Sequence, residues 1–161
     1  MTCRCGVIVS DRQVAGFTLV ELIVVIAIIG ILAAVAIPSF AGMVANTRSK
    51  NVATDLHLAL AKARSEAVKR NMDVTLTPDA AGWGSGWQIY PTNAPDNILE
   101  NHKISGDVSV SGHNGSVKYN SSGRAGSSVS FNIKATVSSA SSQRCVTVSL
   151  SGLPNVKNQA C

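Results

Sequence analysis

Between Gly16 and Pro38 lies a run of 21 residues, 17–37, in which only Thr18 and Glu21 are polar. At a helical rise of about 1.5 Å per residue it spans roughly 30 Å, the thickness of a bilayer's hydrocarbon core. A core helix in a water-soluble domain carries a polar stripe, and Leu22 through Ile37 shows none. The segment therefore belongs in a membrane or in an equally dry assembly. The remainder fits one modest domain, since a chain of 161 residues is too short for two well-buried ones. With 45% hydrophobic and 14% charged residues the chain is not disordered. Its apolar residues crowd one end, while Gly, Ser, Asn and Thr dominate the last third. That distribution argues against a simple cytosolic enzyme.

The residues before the run form a short polar leader, 1–16, with Arg4, Asp11 and Arg12. A small-residue site, Ala15-Gly16, precedes the apolar run, whereas a secretory signal is cut after its run. No such site follows, because Ile37-Pro38-Ser39-Phe40 closes the segment. Two basic residues in the leader keep it on the cytoplasmic side and put the bulk of the chain outside. Glu21 is the anomaly, since a carboxylate in an apolar span costs on the order of 3 kcal/mol and calls for a partner. One reading places it near the interface, where it reaches water. The other has the chain cut after Gly16, so that Glu21 of one subunit pairs with the new Phe17 ammonium of the next. Such a pair sets register more than strength. Physical grounds alone leave both open.

Gly16-Phe17-Thr18-Leu19-Val20-Glu21-Leu22, followed by the unbroken apolar helix and Pro38, resembles the class III signal of type IV pilins and type II secretion pseudopilins. The resemblance implies cleavage by a prepilin peptidase between Gly16 and Phe17 and N-methylation of Phe17. It also implies that Glu21 recruits subunits, and that the partners are other major and minor pilins. The expected location is the inner membrane, single-pass with the head in the periplasm, and then a fibre at the cell surface.

Pro38 removes a backbone hydrogen bond to the carbonyl of Ala34 and predicts a kink. After Gly42 the pattern turns amphipathic, with Val52, Leu56, Ala59, Leu60, Ala63 and Ala67 at helical spacing. Lys62 and Glu66 are expected to form an i,i+4 pair in the weaker orientation. Asn71 is the expected stop, with Lys69 and Arg70 complementing the helix dipole. The spine is rich in basic residues, read here as a solvated face.

From Met72 the period switches to two. Val74-Thr75-Leu76, Gln88-Ile89-Tyr90, Val108-Ser109-Val110, Val117-Lys118-Tyr119, Val129-Ser130-Phe131-Asn132-Ile133 and Val146-Thr147-Val148-Ser149-Leu150 read as short strands. Pro78, the Gly82-Trp83-Gly84-Ser85-Gly86 stretch, Pro91, Pro95, Gly106, Gly112, Gly115 and Gly123 punctuate them. Residues 138–142, mostly serine, read as a flexible loop. The expected fold is therefore α+β: a long N-terminal helix, kinked at Pro38, packed against a small antiparallel β-rich head. It divides into a leader (1–16), a membrane or fibre-core helix (17–45), an amphipathic spine (46–71) and the head (72–161).

A finer resemblance is to the GspH/FimT branch of minor pilins and pseudopilins. It rests on Ala63-Arg64-Ser65-Glu66-Ala67-Val68-Lys69-Arg70-Asn71, on Trp83-Gly84-Ser85-Gly86-Trp87-Gln88-Ile89, and on Val117-Lys118-Tyr119 with Gly123-Arg124. Trp87 is expected to plug the helix–sheet core and Trp83 to cover a loop.

Cys3 and Cys5 lie in the leader as a C-x-C pair without a third ligand nearby. Cys145 and Cys161 lie in the exported head, an oxidising setting where a bridge is expected. A C-terminal disulfide is frequent in pilins, which supports that pairing by analogy. His57, His102 and His113 are scattered, and no catalytic motif occurs, so neither catalysis, cofactor nor metal is expected. Two alternatives stand beside a minor pilin of an assembly-priming or tip complex. One is a type II secretion pseudopilin of the fibre tip. The other is DNA capture for natural transformation. Residues 108–161 hold five basic side chains, Lys118, Arg124, Lys134, Arg144 and Lys157, and no acid. That suits phosphate contact. The branch's DNA binders carry an Arg-rich turn near the C-terminus, however, and Ser151-Gly152-Leu153-Pro154-Asn155-Val156-Lys157 lacks it.

Overall fold

A computed structural model describes residues 17–161, apart from the side chain of Pro38. The expectations for Cys3, Cys5 and Gly16 lie outside the described residues. Helix α1 runs over Leu19–Arg70, 52 residues. Thr18 caps it: its carbonyl accepts from Leu22 N at 3.2 Å, and its Oγ1 accepts from Glu21 N at 3.2 Å. At the other end Asn71 takes φ 50°, with Met72 N donating to Ala67 O and Asn71 N to Val68 O. This paired pattern is a Schellman stop, and asparagine tolerates the left-handed conformation it needs. Asn71 thus ends the helix as expected.

The described residues divide into two units, one ending at Ala36 and the other Ile37–Cys161. In the second, α1 buries Val52, Ala53, Leu56, Ala59, Leu60, Ala63 and Ala67 against the strands. The alanines matter because short side chains let a helix lie close on a sheet. The strands are β1 (Val74–Asp79), β2 (Gly82–Pro91), β3 (Glu100–Lys103), β4 (Val108–Gly112), β5 (Val117–Tyr119), β6 (Val129–Val137), β7 (Ala140–Val148) and β8 (Pro154–Lys157). They form two antiparallel sheets, ordered β3-β2-β1-β5 and β4-β6-β7-β8. On β6, Val129, Phe131, Ile133 and Ala135 are buried and Ser130, Lys134 and Thr136 exposed, the alternation of a half-covered strand.

Four expectations need correction. Residues 138–142 are not a loop: Ser138 and Ser139 form a two-residue turn, Ser138 at φ 53°, and β7 begins at Ala140, paired to Val137. Pairing with the apolar β6 outweighs the weak strand preference of serine, because strand preference depends on context. The Gly-Trp stretch after Ala81 is strand rather than turn, the first half of β2. Trp83 covers no loop; it is buried, its ring edge-on to Phe131 at 4.8 Å. Lys62 pairs with Glu100 of β3 at 2.6 Å, and Glu66 pairs with Arg70 at 2.6 Å, the better Glu-first orientation. Trp87 plugs the core as expected and stacks on His102, its cross-strand partner, at 4.5 Å.

A disulfide joins Cys145 of β7 to Cys161, 16 residues apart. It ties down a segment that follows the edge strand β8 and would otherwise fray. Replacing Cys145 and Cys161 together by serine should lower unfolding stability by about 3 kcal/mol, the value for a loop of this size. Urea unfolding of the two forms checks this; equal midpoints would remove the bridge from the account.

Candidate assembly helix and subunit surface

The first site is the N-terminal part of α1. From Phe17 to Ala36 every side chain is exposed except half-buried Ala33. Leu19, Ile31 and Val35 each show 70% or more of their surface. A soluble chain rarely leaves so large a contiguous apolar surface bare, so this surface calls for an apolar covering. Glu21 stands in the first turn, where the positive end of the helix dipole favours a carboxylate. It has no ion-pair partner among the described residues. Thr18 and Glu21 are spaced as a capping pair, a signal in the sequence that the reading above missed.

A second site lies in the head, on one flank of α1. Arg64 Nε donates to the carbonyl of Gly123 at 2.9 Å. Gly123 sits in a turn closed by Gly123 N to Asn120 O, 2.8 Å, and by Asn120 Oδ1 accepting from Ser122 N and Arg124 N. Gly152, at φ 80°, is buried against the same carbonyl, and a Cβ there would run into it. The loop after β7 can approach α1 this closely only because position 152 carries no side chain. The result is an open groove of about 620 Å³ lined by His57, Ala61, Arg64, Val68, Leu153 and Pro154, with Ser65 and Lys69.

The five basic residues are divided between the sheets. Lys118 is exposed on β5 and Arg124 in the turn that follows. Lys134 on β6 pairs with Gln143, and Lys157 on β8 with Cys145, so both stand on the outer face of the second sheet. Arg144 is committed elsewhere: its Nη2 donates to Asn46 Oδ1 of α1 at 2.9 Å, and its Nη1 to Asn158 Oδ1. With Ser142 and Ser49, whose hydroxyls lie 3.0 Å apart, it builds a polar seam between helix and β7.

Tyr119 of β5 is fully buried, and its hydroxyl has no hydrogen-bond partner among the described residues. Burial pushes its pKa up to about 12, opposed weakly by the nearby Arg64 charge. The folded head thus favours the neutral phenol. The stability that this burial contributes is fully present below about pH 10, where the unfolded chain begins to ionise, and is lost as the pH climbs towards 12. Tyr119→Phe should flatten that alkaline loss, as urea midpoints at pH 9 and 11.5 would show. An unchanged slope would assign the loss to other groups.

Comparison with known proteins bears on both sites. A family described as type II transport protein GspH matches residues 52–152, and the prokaryotic N-terminal methylation motif matches residues 11–37. Curated protein sequences give no match. Among solved structures, two crystal forms of the type IV minor pilin FimU of Pseudomonas aeruginosa (strain PAO1) match with TM-scores of 0.60 and 0.58. They are 17% and 18% identical, and the matches cover 71% and 70% of this chain and 93% and 96% of the other. At those identities the likeness concerns the fold: a long helix on antiparallel sheets.

Proposed function

This chain belongs to the GspH family and carries the N-terminal methylation motif, the make-up of a minor type IV pilin or pseudopilin; on that premise we propose that it is a pilus subunit joining an assembly-priming or tip complex. The observation that carries this reading is the bare apolar helix with Glu21 in its first turn, without an ion-pair partner among the described residues. Before assembly the bilayer covers residues 17–36. Cleavage between Gly16 and Phe17 then frees an amine on Phe17, which is N-methylated. In the fibre, neighbouring helices replace lipid around the same surface. Lipid tails and packed aliphatic side chains are equally apolar, so the exchange is nearly neutral for the hydrophobic surface, and polar pairs decide the register. The Glu21 carboxylate and a neighbour's Phe17 ammonium form that pair. Pro38, which offers no amide hydrogen to the carbonyl of Ala34, is where this reading expects a kink.

Surface filaments, sheared and probed with an antibody to the head, test the reading. Under it the subunit is found in them, and deleting its gene abolishes surface pili while type II secretion continues. Loss of secretion with pili intact would instead make it a pseudopilin.

The acid-free stretch 108–161 favours a second reading, DNA capture. Lys118, Arg124, Lys134 and Lys157 are its exposed cations. Under that reading a gel shift appears at low salt and weakens steeply as salt rises. No shift at low salt removes it.

A further inference from the structure

We propose that the groove beside α1 receives an acidic, aliphatic-tipped segment from the head of a different, separately encoded subunit of the same assembly. The inference rests on the subunit reading for one thing only: that unlike subunits are held side by side. The remaining support is in the head itself.

The groove has an apolar floor of Ala61, Val68, Leu153 and Pro154. Val68 and Leu153 are 53% and 56% exposed, and Leu150, in the same loop, is exposed as well. Such an aliphatic cluster on a surface marks a contact site. Arg64 and Lys69 stand at its rim. No carboxylate lines it, and neither cation makes an ion pair among the described residues. Acids of the head itself are engaged elsewhere: Glu66 on Arg70, Glu100 on Lys62 and Asp79 on Lys103. Arg64 is held in place by its Nε bond to the Gly123 carbonyl, which leaves its two Nη nitrogens as a fork for a carboxylate. The loop opposite is preset too, with Ser149 N donating to Leu153 O at 3.2 Å and Gly152 N to Ser149 O at 2.8 Å. A preformed site loses little entropy when it is filled.

Charge decides what kind of chain fills it. Of the 14 Lys and Arg only Arg4 and Arg12 precede residue 37, and of the 9 Asp and Glu only Asp11 and Glu21, so residues 37–161 keep the full formal charge of +5. Two such heads repel each other, whereas an acidic neighbour is attracted. A nucleic acid is acidic too, but its bases stack on aromatic rings, and no Phe, Tyr or Trp lines the groove. An aliphatic floor beside two cations suits Leu, Ile or Val next to Asp or Glu. A contact between unlike chains also stops after one step, as a subunit with a single place in a priming or tip complex requires. Because confinement side by side raises the effective concentration, a small contact suffices.

The test places a photo-reactive phenylalanine analogue at position 150 of the full chain, expressed in cells that build filaments. Leu150 does not line the groove, so the probe reports on the occupant without displacing it. After illumination, mass spectrometry reads which peptides carry adducts. The expected result is an adduct on one other filament subunit, on a peptide in which Asp or Glu adjoins Leu, Ile or Val. Lys69→Glu should lower its yield at least about tenfold, because it sets like charges against each other. Changing the partner's acid to lysine should then restore it, which a misfolded head would not allow. In a filament-borne protein, adducts only on this chain, on DNA or on lipid, or no adduct at all, overturn the contact and leave the subunit reading intact. So does a yield that Lys69→Glu leaves unchanged or that the reversed partner fails to restore. A protein never found in filaments overturns both.

Discussion

Glu21→Ala should leave the protein inserted in the membrane and cleaved, yet reduce its incorporation into filaments by two orders of magnitude or more. The size follows from what is left behind. Removing one partner of a desolvated ion pair strands the other charge, here a neighbour's Phe17 ammonium, at a cost of about 3–5 kcal/mol. Each 1.4 kcal/mol is roughly tenfold in an equilibrium constant. Thr18→Ala separates this effect from a local one. It removes the hydroxyl that caps α1 through Glu21 N and should cost only about 1 kcal/mol of helix-end stability. Subunit content of purified filaments, measured against the membrane pool, distinguishes them. Equal losses in the two variants would mean that Glu21 acts by shaping the helix end, not by pairing between subunits.

Gly152→Ala should be among the most damaging single-methyl changes in the head, costing about 3–5 kcal/mol. Two terms add. A non-glycine residue at φ 80° carries backbone strain of about 1–2 kcal/mol, and the new Cβ collides with the Gly123 carbonyl that Arg64 holds. Gly82 isolates the first term: at φ 95° it has open space where its Cβ would go. Gly82→Ala should therefore cost only the 1–2 kcal/mol of strain. Unfolding midpoints of the two variants give the ratio. Equal costs would show that the loop after β7 can withdraw from α1 without penalty.

The sequence is most legible where one local pattern decides the outcome. The apolar run has no other use, the spacing of Val52, Leu56, Leu60 and Ala63 allows one buried face, and Asn71 stops the helix through its own backbone preference. Alternation in residues 129–133 marks β6 for the same reason. Features that depend on distant partners were not legible. Lys62 has Glu66 one turn away, but its partner, Glu100, becomes visible only once β3 lies beside the helix. Residues 138–142 look like a linker until β6 supplies a ladder for them. Trp83 is claimed by Phe131 of the other sheet. The groove is the extreme case, since it depends on two glycines 29 residues apart meeting over Arg64. At the helix start, by contrast, Thr18 and Glu21 were there to be read as a cap, and the stronger signal of the apolar run masked them.

The most direct measurement is the intact mass of the protein taken from sheared filaments, with fragmentation of its first residues. An account in which a trimmed helix seats its Glu21 against a fresh terminal amine predicts a chain beginning at Phe17 with a methyl group on its nitrogen. A filament-borne chain that still begins at Met1 would contradict it, because no Phe17 ammonium would exist for Glu21 to meet.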